Sequence, residues 1–117
     1  MNDQTNSGSD SRRLAVIKVG GDILLDEIQR SGLAKNIIGL LSENWRVVVL
    51  HGGGPQLSAM QSRCGIEPRK VAGRRITSQE DLVLVKQVLC GQVNVDLVSL
   101  MQAHGVNAFG CHGASGK

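Results

Sequence analysis

Two short apolar runs that each end in glycine constrain this chain most: LAVIKVGG at 14–21 and RVVVLHGGGPQ at 46–56. Runs of apolar, largely β-branched residues read as strands, and glycines directly after them read as tight loops at the strands' carboxyl ends. Between the runs, Leu33, Ile37, Leu40 and Leu41 fall at i, i+4, i+7 and i+8. That is the stripe of an amphipathic helix, starting near Asp26. Strand, helix, strand implies a parallel pair, because parallel strands need a crossover. The second run, RVVVL at 46–50, carries apolar residues at successive positions and is expected to be buried on both faces.

The remaining chain continues the alternation. Pro55 suits the first position of a helix, whose face would carry Leu57, Met60 and Cys64 and which would stop at Gly65. Residues 66–76 hold Pro68, Gly73 and four basic side chains and read as an irregular stretch or hairpin. TSQE at 77–80 has the form of a capping box, Thr77 with Glu80, opening a helix through Leu82, Val85 and Leu89 to about Gly91. Val93, Leu97, Leu100 and Met101 define a further helix closed by His104–Gly105, and VNAFG at 106–110 reads as a third strand. The pattern predicts an α/β fold with a parallel sheet covered on both faces. Residues 1–13 are expected to be a disordered polar tail, and residues 14–117 the folded part, a fragment of something longer.

Composition narrows the function. Hydrophobic residues make up 41% and charged residues 20%, an ordinary soluble balance. Aromatics are 2% and the net charge is only +3, which argues against nucleic acid, whose single-strand binders stack bases on aromatic side chains. No uninterrupted apolar run approaches the roughly 18 residues of a membrane span. Cys64, Cys90 and Cys111 show no C-x-x-C spacing, so the expectation is reduced, buried or half-buried thiols in a cytoplasmic protein. His104 and His112 have no partners at metal-ligand spacing, and no metal site is expected.

In open α/β sheets ligands bind at the carboxyl ends of the strands. Two glycine loops there would bring bare N–H groups, and the helix after Pro55 its positive end, toward an anion. Standard nucleotide motifs do not fit. Counted from Gly52, the third glycine of G-x-G-x-x-G falls on Leu57, and the first glycine of a P-loop ending at Lys117 falls on Cys111. Lys18 lies within an apolar strand beside both loops. There a lysine is costly unless an anion meets it, although a lysine snorkelling from an edge strand is the plainer alternative. Such a lysine would neutralise charge that develops during phosphoryl transfer. Arg74 or Arg75 would clamp a carboxylate. His51 is expected to hold the loop by a hydrogen bond rather than act as a base. Asn94 and Asp96 read as helix-capping residues.

Taken together, IKVGGDIL, VVVLHGGGPQ, VAGRRIT and GQVNVDLVSLMQAHGVNAFG resemble, in order and over residues 14–116, the N-terminal part of acetylglutamate kinases, in the amino-acid kinase family. The resemblance implies a three-layer α/β/α sandwich around a mostly parallel sheet. It implies transfer of the γ-phosphoryl group of ATP, carried with Mg²⁺, to the side-chain carboxylate of N-acetyl-L-glutamate, a step of arginine biosynthesis. By the same resemblance Lys18 stabilises the transition state, and Gly20 and Gly21 bring backbone N–H groups to the phosphoryl. Gly53 and Gly54 contact the acetylglutamate, and Arg75, not Arg74, holds its α-carboxylate. The full-length protein is expected to be a homo-oligomer with no nucleic-acid or membrane partner. The ATP-binding half is expected to be absent from these 117 residues, leaving them inactive alone. Two alternatives are a relative acting on a different acid and a non-catalytic ligand-binding domain.

Overall fold

A computed structural model describes residues 11–116. Most of the expected tail therefore lies outside the described residues. At its end the chain is already held, since the Arg13 guanidinium stacks 4.0 Å above the Trp45 ring and the Arg13 carbonyl accepts from Arg46 N (2.8 Å).

Strand β1 (Leu14–Val19) and strand β2 (Arg46–His51) pair in parallel, in register from Leu14 opposite Arg46 to Val19 opposite His51. The crossover is helix α1 (Glu27–Ser42), started by Asp26, whose carboxylate accepts from Gln29 N at 2.8 Å. Helix α2 (Gly54–Arg63) follows β2, with Pro55 in its second rather than first position. Strands β3 (Lys70–Val71) and β4 (Arg74–Arg75) form an antiparallel hairpin. Its two turn residues, Ala72 (φ 48°) and Gly73 (φ 74°), are both left-handed, as a tight hairpin turn that matches strand twist requires.

The next 25 residues are one helical rod rather than two helices. Helix α3 (Gln79–Val85) runs into a π-helical segment (Lys86–Val93) and then helix α4 (Asn94–Ala103). Gly91 does not end it, because the wider π turn carries the chain through. The cap sits one residue later than expected: Ser78 with Asp81, not Thr77 with Glu80. Asn94 and Asp96 therefore lie inside a continuous rod and cap nothing. The buried residues Leu84, Val88, Val93, Leu97 and Met101 are spaced four, five, four and four apart. The single five-residue step is the π turn, which keeps one apolar stripe facing the core across the whole rod. By length and composition this rod could cross a membrane (mean hydropathy 1.3), yet that stripe is packed into the protein core.

The core joins Val19 of β1, Leu24, Ala34 and Ile37 of α1, Leu57 of α2 and the stripe of the rod. All of it lies to one side of the sheet. On the other side Leu14 (52% exposed), Val16 (59%), Val48 (44%) and Leu50 (56%) are open. The parallel α/β arrangement is as expected, but among the described residues only one helical layer covers the sheet, so β2 is not buried on both faces.

Residues 106–110 form no strand. Val106 N donates to Met101 O (3.0 Å) and Ala108 N to Val106 O (2.9 Å), so donors a ladder would need are used locally. A groove of about 520 Å³ separates this stretch from β2, and Phe109 is 88% exposed.

Candidate active site

The carboxyl ends of β1 and β2 deliver the two glycine loops into direct contact. Gly52 N extends the ladder by donating to Val19 O (2.8 Å). A β-carbon on Gly21 would stand 2.8 Å from Gly53 Cα, closer than real β-carbons come, and 3.0 Å from Gly53 N. Glycine is thus required at 21 by backbone meeting backbone. Gln56, in the first turn of α2, ties the loops further by donating from Nε2 to Gly21 O (2.7 Å). On its other side Gly53 is buried against the π segment: a β-carbon there would meet Leu89 at 3.1 Å and Val93 at 3.3 Å.

The helix ends differ in a way that bears on charge. Helix α1 opens on Asp26 and Glu27, and α3 on Ser78 with Glu80 and Asp81. Helix α2 has neither a side-chain cap nor an acidic residue in its first turn. Its positive end, at the loop where two glycine segments meet, is the one left without compensation.

Arg75 comes from β4 to lie along the first two turns of α2. Its Nη1 donates to Gln61 Oε1, its Nη2 donates to Ser58 Oγ at 2.9 Å, and a long 3.5 Å contact reaches Gly54 O. Arg74, its neighbour, is exposed. Of the two arginines that composition left open, Arg75 is the one that the described residues anchor against α2. Behind it, Gln61 Nε2 donates to Asp81 Oδ1 (2.6 Å), while Asp81 Oδ2 accepts from Ser78 N and Ser78 Oγ, both at 2.9 Å. The Ser78 backbone N–H is the main reason the Asp81 carboxyl is held below its ordinary range. The Gln61 amide and Ser78 hydroxyl, and more weakly the Arg69 charge, add to it.

Lys18 is not where desolvation would force a partner on it. It is exposed on the open sheet face opposite Leu50, and among the described residues its side chain makes no hydrogen bond or ion pair. The strand's alternation sends Ile17 and Val19 to the core side and Lys18 to the other. His51 does hold the loop, its Nδ1 lying 3.1 Å from Gly52 O, where the Nδ1–H tautomer donates. Cys64 and Cys111 are exposed rather than buried, and Cys90 is half-buried. Among the described residues no three His, Cys, Asp or Glu side chains gather as a metal site would need.

The residues that sequence reasoning passed over are Gln56, Ser58, Gln61 and Asp81. Gln61 carries a signal: four residues after Leu57 it occupies a core position on α2, where the apolar pattern points to Met60 and Cys64 instead. Asp81 carries another, as the fourth residue of a second, overlapping S-x-x-D box.

Residues 13–117 match the model of the amino acid kinase family. An acetylglutamate kinase of Methanocella arvoryzae is 45% identical over 102 residues, covering 87% of this chain and 34% of the relative. One from Acidothermus cellulolyticus is 43% identical over 105 residues, covering 90% and 36%. The chain spans about a third of the length of these curated relatives. Among solved structures, smu.665 from Streptococcus mutans UA159 superposes with a TM-score of 0.74 at 28% identity, over 82% of this chain and 38% of that one. An N-acetylglutamate synthase from Neisseria gonorrhoeae shares the fold, with a TM-score of 0.63 at 24% identity over 77% of this chain and 21% of that one.

Proposed function

This chain belongs to the amino acid kinase family, and from that membership we propose that it is the acceptor-binding part of an acetylglutamate kinase. The reaction moves the γ-phosphoryl group of ATP to the side-chain carboxylate of N-acetyl-L-glutamate, giving an acyl phosphate. The observation that carries this reading is the meeting of Gly21 with Gly53 beside an anchored Arg75. One arginine and one uncapped helix end are set for carboxylate, and a second glycine loop in contact with the first is set for the group being transferred.

In this reading Arg75 holds the substrate α-carboxylate, and the backbone at Gly53 and Gly54 contacts the rest of the acceptor. Gly20 and Gly21 present N–H groups to the phosphoryl, and Lys18, on the open face next to that loop, neutralises charge as it develops. Catalysis is then positioning plus electrostatics, with no covalent enzyme intermediate. Mg²⁺ would arrive on the nucleotide's phosphates.

Calorimetric titration of the 117-residue chain with N-acetyl-L-glutamate, without nucleotide, tests the proposal. Binding is expected, weakened about tenfold or more by Arg75→Ala, the scale of a lost charged hydrogen bond. Lys18→Met should leave it nearly unchanged. The same sample given ATP is expected to release no ADP above background. Absence of binding, or binding indifferent to Arg75→Ala, would overturn the assignment.

A further inference from the structure

Gln61 is wholly buried, at 0% exposure, and Asp81 nearly so at 4%. A buried amide is costly unless both ends are satisfied, and here each end has a charged partner. Asp81 can only accept when ionised, so it fixes which end of the amide faces it: Nε2 donates to Asp81 Oδ1 at 2.6 Å. That leaves Oε1 turned to Arg75 Nη1. The carboxylate's second oxygen is taken by Ser78 N and Oγ. Among the described residues, every acceptor that Arg75 meets (Gln61 Oε1, Ser58 Oγ and Gly54 O) is uncharged. The guanidinium is therefore fixed without being neutralised.

We infer that Gln61 is a positioning residue: its amide, oriented by Asp81, locks the Arg75 guanidinium beside the Gly54 loop and keeps it apart from the Asp81 carboxylate, leaving its charge for an anionic ligand. The inference rests on the reading of Arg75 as the clamp for a substrate carboxylate. Without the spacer, arginine and aspartate would form a direct, bidentate-capable pair, the arrangement most costly to a carboxylate arriving from solution.

The test has one arm that needs no ligand. Nitrogen-15 NMR of the 117-residue chain reads rotation of the Arg75 guanidinium about its Cζ–Nε bond. Slow rotation is expected in the wild type, with exposed Arg63 as the fast reference. Gln61→Met, which keeps the volume and removes both hydrogen bonds, should make Arg75 rotate fast and weaken N-acetyl-L-glutamate about tenfold or more. Adding Asp81→Asn removes the charge onto which the freed arginine collapses, and should regain at least threefold of the lost affinity. A purely structural role for Gln61 would give no such recovery. Fast rotation of wild-type Arg75 overturns the inference even if Gln61→Met does not fold. So does a folded Gln61→Met with unchanged affinity, and a double variant no better than the single overturns the spacer role. Slow wild-type rotation lost in Gln61→Met, together with no acetylglutamate binding by the wild type, would uphold the positioning and sink the substrate reading instead.

Discussion

Among the described glycines, Gly21 is the one whose β-carbon would meet backbone closer than 3.0 Å. A methyl group there must displace the Gly53 backbone, which cannot swing away as a side chain can. Gly21→Ala is expected to cost about 1–3 kcal/mol, the range for forced overpacking, read by urea denaturation. Asp81 gives a pH-dependent prediction with a definite sign. Its folded-state value lies below the ordinary 3.8, so it binds protons less readily folded than unfolded. The stability it contributes is complete above about pH 3.8 and is lost as pH falls through the lower folded value. Acid titrations of unfolding free energy should therefore fall more steeply in this window for the wild type than for Asp81→Asn, the two curves converging toward low pH. Parallel curves would contradict it.

At the scale of elements, the π segment sets the facing of the rod's second half. Deleting Cys90 would shorten the Val88–Val93 step to four residues and return the segment toward a regular α-helix with the stripe intact, whereas inserting an alanine after Val93 would turn the rest of α4 by about 100° about its axis. In the insertion variant Leu97 and Met101 would leave the core, with an expected loss of roughly 2–5 kcal/mol, the scale of a large core truncation. Unfolding followed by Trp45 fluorescence would measure it. The two strands, α1 with its Asp26 start, α2 and the hairpin were all legible, because each is written in local spacing or turn residues. The continuous rod was not, since Gly91 and a break in the 3.6-residue period look like a helix end when the period is taken as fixed. The third strand failed for a different reason. VNAFG has strand-like residues, but a strand exists only where a neighbour takes its hydrogen bonds, and that partner is not encoded within the five residues. At the site, the glycine contact and the reach of Arg75 follow from where strands end, which motifs report well. The Gln61–Asp81 support does not, because it joins three elements through side chains that look unremarkable in sequence.

For the whole molecule, the one-sided sheet dominates. Leu14, Val16, Val48 and Leu50 form an apolar strip on the face away from the helices, with Lys18 at its end. Exposed strips of this kind drive association, and both strands also have an open edge. Val16→Thr with Leu50→Thr keeps strand propensity and removes much of the strip. Sedimentation is expected to show reduced self-association, with unfolding free energy changed by no more than about 0.5 kcal/mol, as for exposed positions. Persistent association of the double variant would place the contact elsewhere. The junction of Gly21 and Gly53 has a different consequence for the proposed acceptor. With backbone against backbone at one end and an arginine fixed by Gln61 and Ser58 at the other, the site is a ruler whose length no side-chain motion adjusts. An acyl amino acid one methylene shorter, such as N-acetyl-L-aspartate, could satisfy Arg75 and still leave its second carboxylate short of the Gly20–Gly21 loop, so that it occupies the site as an inhibitor and not as a substrate.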